Sequence, residues 1–173
     1  MSLSNQNQKQ DQYDTAQICL NGHIINSCAE TEPARNKGHC SECGTETIRS
    51  CPKCGAKILG QLHSTRYLAL PMFEAPKFCS TCGAPYPWTV TRLKAAHDHA
   101  NKIKGISKEE RKLLNLSIDE LVRDTPQTNV AIVRLKKMMS KVGPEFYDVF
   151  KKVLIEIMSE AARKAIFGQQ NGR

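Results

Sequence analysis

The chain has 173 residues, 40% apolar, 24% charged and only 6% aromatic, with a net charge of +8. That composition suits a soluble domain or two small ones and excludes a core built on aromatics. No run approaches the roughly 20 apolar residues of a membrane helix; the most apolar candidate, VFKKVLIEIMSEAARKAIF, carries Lys151, Lys152, Glu156, Glu160, Arg163 and Lys164.

Residues 1–12 are polar and lack the apolar stretch of a signal peptide, so they read as a disordered tail. With no such signal, the eight cysteines are expected in a reducing cytoplasm, where repeated pairs indicate metal rather than disulfides. The sequence changes character near residue 86. All eight cysteines and five of the eight prolines precede it. Residues 1–86 hold 8 Lys and Arg against 7 Asp and Glu, a net +1; residues 87–173 hold 17 against 10, a net +7.

Region 13–86 shows no helical period. KILG and RYLAL read as short strands between turns. Three pairs share one format: CSECG (Cys40, Cys43), CPKCG (Cys51, Cys54) and CSTCG (Cys79, Cys82). A two-residue gap curls the backbone so that both thiolates reach one ion, about 2.3 Å from each sulfur. The glycine that follows supplies the positive φ of the exit turn. These are zinc knuckles. Three pairs supply six ligands, and two tetrahedral sites need eight. The missing two come from Cys19, Cys28, His23, His39 or His63.

In CLNGH, the turn dipeptide Asn21-Gly22 can fold Cys19 and His23 toward one ion, so these two complete the set. The competing reading of Cys19 is a small buried hydrophobe. Cys28 has no partner at knuckle spacing and reads as a plain thiol; His39 abuts Cys40, and His63 stands alone in a strand-like segment. Taken in order, Cys19, His23, Cys40 and Cys43 form one site and Cys51, Cys54, Cys79 and Cys82 the other, with internal gaps of 16 and 24 residues. Two zinc ions are expected. A crossed pairing of the RING type stays open, and a four-sulfur site also accepts iron. Four protein ligands leave no position for a reactive water, so the expected role is structural and the chain is expected not to be an enzyme.

Region 87–168 is helical in pattern. PWTVTRLKAAHDHANKIKG predicts one helix stopped by Gly105. Ser107 with Glu110 forms a capping box, and Ser117 with Glu120 a second, which divides this segment into two short helices. Thr125-Pro126 opens the next, with Ile132, Leu135, Met139 and Val142 on one face. Gly143 and Pro144 separate it from a last helix running to Phe167, whose stripe is Phe146, Val149, Phe150, Val153, Leu154, Ile157, Ala161 and Ala165. Residues 169–173 are a second tail.

Arg134, Lys137 and Lys141 oppose the apolar face of their helix and are candidate phosphate contacts; the plain alternative is a solvated face. Trp88 is expected to pack the ribbon onto the helices. His97 and His99, two apart on a helix, point to different faces and do not form a metal-hydrolase site. None of the CxxC pairs opens a helix of a thioredoxin-like unit, and no phosphate-binding or nucleophile-elbow motif occurs.

With AQICLNGHIIN, CSECGTETIRSCPKCG, FCSTCGAPYPWT and DTPQT together, residues 13–168 resemble an uncharacterised bacterial family, a domain of unknown function with an N-terminal zinc-ribbon region and a helical C-terminal region. The resemblance implies a bacterial cytoplasmic protein. It assigns Cys19, His23 and the three pairs to the family's metal motif, and it implies no activity.

The reading is an α+β chain: an N-terminal double zinc-ribbon of short β-hairpins and knuckles, then a C-terminal helical bundle. Two partner classes follow from it. One is DNA or RNA, bound at the basic helical half. The other is a protein docked on the ribbon, with the last helix joining copies of the chain. No membrane partner is expected.

Overall fold

The computed structural model describes residues 12–63, 72–141 and 143–168. The two tails (1–11 and 169–173), the RYLAL segment and Val142 lie outside that range, as does the side chain of Phe146. The chain divides into two compact units, Met1–Thr89 and Val90–Arg173.

Among its described residues the first unit holds five short strands. β1 (Gln12–Thr15) pairs antiparallel with β5 (Leu59–His63), and β2 (Gln17–Cys19) is flanked by β3 (Ile24–Asn26) and β4 (Thr47–Ile48). The register of β1 on β5 slips between Tyr13 and Thr15, a bulge in which Gly60 and Gln61 of β5 lie opposite Asp14 alone. KILG therefore spans the entry to a strand rather than a whole one. The apolar core is thin: Ala16, Ile18, Ile58, Tyr86 and Trp88, with Cys51 and Cys79 among them. Tyr86 and Trp88 stack at 4.6 Å, and the indole N–H donates to the Pro76 carbonyl at 2.8 Å. Trp88 thus belongs to the core of the ribbon itself.

Buried amides supplement this core. The Gln17 side chain donates to the Lys37 carbonyl and accepts from the Lys37 N–H (2.8 and 2.9 Å), and Asn26 donates to the Glu32 carbonyl at 2.9 Å. Each such bond satisfies a loop that would otherwise bury bare backbone. Gly60 marks the tightest approach. A Cβ there would lie 2.2 Å from the Ser27 carbonyl oxygen, which accepts from the Gln61 N–H at 2.8 Å. Only glycine lets the 27–28 segment lie against β5.

The described residues contain five α-helices. α1 (Pro87–Asn101) starts in the first unit; α2 (Lys108–Val122), α3 (Pro126–Met139), α4 (Pro144–Ile157) and α5 (Glu160–Phe167) belong to the second. Helix α1 stops at Asn101, short of Gly105, and Arg111 donates to the carbonyls of Ala100, Asn101 and Ile103 at its end. The Ser107 capping box forms as its spacing indicates.

The second box does not form. Ser117 is buried inside a continuous α2, and its hydroxyl donates to the Leu113 carbonyl at 2.8 Å. A serine that bonds back one turn needs no helix start. The expected single last helix is two. It breaks at Met158–Ser159, where the Ser159 hydroxyl accepts from the Ala162 N–H at 3.2 Å and the Ser159 N–H donates to the Leu121 carbonyl at 2.8 Å. The break moves the apolar face. Phe150, Leu154, Ile157 and Ala162 are buried, whereas Val149, Ala161 and Ala165 are exposed.

Candidate metal centres

Each CxxCG pair folds by the same local bonds. The N–H of the first cysteine donates to the carbonyl two places beyond the second: Cys40 to Thr45, Cys51 to Ala56 and Cys79 to Ala84, at 2.7–2.8 Å. The glycine N–H returns to the first cysteine's carbonyl at 2.8–2.9 Å, and Gly44, Gly55 and Gly83 have φ of +68°, +75° and +68°. Bridges His39–Glu46, Ser50–Lys57 and Phe78–Pro85 close the three loops. The CLNGH loop is a variant. Cys19 donates to the His23 carbonyl (3.0 Å), Gly22 donates to Cys19, and the His23 N–H donates to the Cys19 sulfur at 3.3 Å.

These loops converge in two groups of four: Cys19, His23, Cys40 and Cys43, and Cys51, Cys54, Cys79 and Cys82. The grouping is sequential, not crossed. Within each group all ligand atoms lie within 4.8 Å of one another. A tetrahedron's edge is about 1.6 times its centre-to-corner distance, so metal bonds near 2.3 Å to sulfur and 2.0 Å to nitrogen give edges of about 3.8 Å (S–S) and 3.5 Å (S–N). Edges of this length are present in both groups: 3.8 Å for Cys19–Cys43, 3.6 Å and 3.4 Å from His23 Nδ1 to Cys19 and Cys40, 3.8 Å for Cys51–Cys82 and 3.7 Å for Cys54–Cys79, with every other edge within 4.8 Å. Both clusters could hold a metal ion, and with four protein ligands each is closed.

Electrostatics point the same way. Hydrogen bonds from the Thr45 hydroxyl and N–H, then from Asn21, lower the Cys43 thiol to about 5. Backbone N–H groups of Cys82 and Thr81 lower Cys79 to about 6. The Ala56 N–H favours the Cys54 thiolate, but the neighbouring Cys82 and burial outweigh it and push Cys54 up to about 12. Burial raises Cys19. Sulfurs this close cannot all ionise alone; a central cation would allow it, with release of protons. Two further groups support the clusters, and sequence spacing did not reveal them. The Asn21 amide donates to the Cys43 sulfur at 3.4 Å and to the Thr45 hydroxyl at 2.9 Å. The Tyr86 phenol lies beside the second cluster, its pKa raised by burial and then by the charge of Cys79.

A third group escaped the sequence reading altogether. Asp14, Cys28 and His63 place a carboxylate oxygen, a thiol sulfur and a ring nitrogen within 4.8 Å of one another. Cys28 is not an isolated thiol, nor is His63 a plain surface residue: His63 Nε2 lies 3.2 Å from Asp14 Oδ2. The three are 14 and 35 positions apart, so no local spacing could reveal them.

The other candidates are placed as follows. His39 forms a loop bridge, and His97 lies 3.0 Å from Asp119; neither belongs to a metal-capable group among the described residues. Arg134 and Lys137 are exposed on α3. Lys141 lies just beyond that helix and pairs with Glu110.

Small antiparallel sheets bearing two closed four-ligand clusters, followed in the chain by five helices, define an α+β protein of the metal-knuckle class. The chain belongs to the bacterial family DUF2321, described as uncharacterised proteins conserved in bacteria, which matches residues 12–166. No curated protein and no solved structure matches it.

Proposed function

We propose that this is a non-enzymatic protein whose two closed clusters hold structural Zn²⁺ and whose basic C-terminal half binds nucleic acid. Zinc suits a Cys₃His and a Cys₄ tetrahedron in a reducing compartment, and it carries no redox liability. The observation behind the nucleic-acid reading is the charge segregation: +7 of the net +8 lies in residues 87–173. Arg134 and Lys137, exposed one turn apart on α3, are the first phosphate contacts to examine. Lys141 contributes less while Glu110 neutralises it.

The test is a salt titration of binding to random-sequence DNA and RNA with the zinc-loaded chain. Affinity should fall steeply with salt, and Arg134→Glu with Lys137→Glu should lower the log–log slope by about 2. No binding at low salt sinks the reading.

A protein-adaptor role is the second reading. It is favoured by the exposed apolar side chains Leu113, Leu116, Val130 and Val133 on α2 and α3, of which Val133 is 68% exposed. A concentration-dependent dimer without nucleic-acid affinity would select it.

A further inference from the structure

We infer that Asp14, Cys28 and His63 form a third metal site, open at its fourth position, for a divalent d-block cation such as Zn²⁺. It is separate from the two closed clusters and independent of what the helical half binds.

The geometry carries this. At the register slip Asp14 faces two residues of β5, Gly60 and Gln61, and its carboxylate is turned inward, where the side chain is 1% exposed. Bulges re-aim side chains in this way. His63 ends β5, the strand paired with β1. The missing Cβ of Gly60 lets the Ser27 carbonyl lie against β5, which delivers Cys28 to the same point. The approach of Asp14 Oδ2 to His63 Nε2, 3.2 Å, matches the edge of about 3.3 Å that a tetrahedron with 2.0 Å bonds to oxygen and nitrogen requires.

Asp14 is also held as a ligand would be. Oδ1 accepts from the N–H groups of Thr15 (2.6 Å) and Glu30 (2.9 Å), and Oδ2 accepts from the Thr31 hydroxyl (2.6 Å) and the Thr31 N–H (3.3 Å). Burial opposes its ionisation, yet these donors keep it well below the usual carboxylate range. Donors of this kind fix the orientation of a metal-bound carboxylate.

Two alternatives fit less well. In a nucleophile–base–carboxylate triad, the thiol and the carboxylate sit at opposite nitrogens of the ring. Here the sulfur and the carboxylate oxygen lie within 4.8 Å of each other, converging on one point. A bare His–Asp pair would leave the position of Cys28 unexplained. The mixed sulfur, nitrogen and oxygen set selects a borderline metal over Mg²⁺ or Ca²⁺. Three protein ligands leave room for water or a small anionic ligand, as in catalytic rather than structural zinc sites. Cys28 and His63 are both partly exposed, so the position can be reached from solvent.

Native mass spectrometry of the full chain during zinc titration tests this, with Cys28→Ala and His63→Ala alongside. The wild type should take two tight equivalents and a third that a chelator removes first. Each variant should keep the two and bind the third at least about tenfold more weakly. In Co²⁺-loaded protein, the third equivalent should add thiolate charge-transfer absorption that Cys28→Ala lacks. Saturation of the wild type at two equivalents in excess zinc would overturn the site, as would a third equivalent unaffected by both substitutions.

Discussion

Cys51 and Cys28 differ at the scale of single residues, although both are thiols without a disulfide. Cys51 is buried in the core of the first unit and is also one of four residues that could hold a metal ion. Cys51→Ala should therefore remove one tight metal equivalent and cost most of the tertiary structure of that unit, because structural zinc contributes about 10–16 kcal/mol in small peptides. Metal analysis together with near-ultraviolet circular dichroism reads both effects. Retention of both metals would remove Cys51 from the ligand set.

Glu110 is a second case at this scale. The Lys141 ammonium, and then the Ser107 N–H, hold its carboxyl below the ordinary 4.5. A carboxylate depressed in the folded state adds stability above its unfolded pKa and loses it as pH falls through the folded one. Glu110→Gln keeps the acceptor of the capping box and removes the charge. It should lower Tm slightly at neutral pH, and the difference from wild type should shrink as pH falls below the ordinary 4.5 and disappear once the lower folded value is passed. A difference that persists in acid would assign the effect to the cap rather than to the ion pair.

Two serines show how little an element's boundary owes to local sequence alone. Ser117-x-x-Glu120 has the pattern of a helix start, yet it lies inside α2 because burying that face against the other helices outweighs a cap. Ser159 has a weaker pattern and does start a helix, since its N–H reaches the Leu121 carbonyl, 38 positions earlier. Ser159→Ala should cost about 1 kcal/mol, and Ser117→Ala less than that, in urea denaturation. The reverse order would restore the division of α2. The expected stripe on the last helix failed for the same reason. Carrying one period across the break at Met158 put Ala161 and Ala165 inside, whereas Ala162 is the residue buried.

At the scale of the whole molecule, the two units hold together by different means. The first has a thin apolar core, buried amide bonds and two metal-capable clusters; the second has a helical core that includes Leu114, Ile118, Leu121, Leu135, Phe150 and Leu154. A chain segment with few apolar residues needs staples to offset its conformational entropy. Chelation should therefore unfold the strand-rich unit while most of the helical far-ultraviolet signal remains. A single cooperative loss of both signals would show that the helices depend on the metals.

The three CxxCG knuckles and the Asn21-Gly22 turn were legible in the sequence, because each is closed by bonds within about seven residues and a glycine at positive φ. The same locality made the Ser107 box and the starts at Pro126 and Pro144 readable. The sequential grouping of the knuckles, left open beside a crossed one, was decided by the tertiary structure. So were the buried place of Trp88, the close packing at Gly60 and the meeting of Asp14, Cys28 and His63. These depend on which strands pair, where β5 bulges and how closely two backbones approach. Such contacts form between residues tens of positions apart, and no local spacing encodes them.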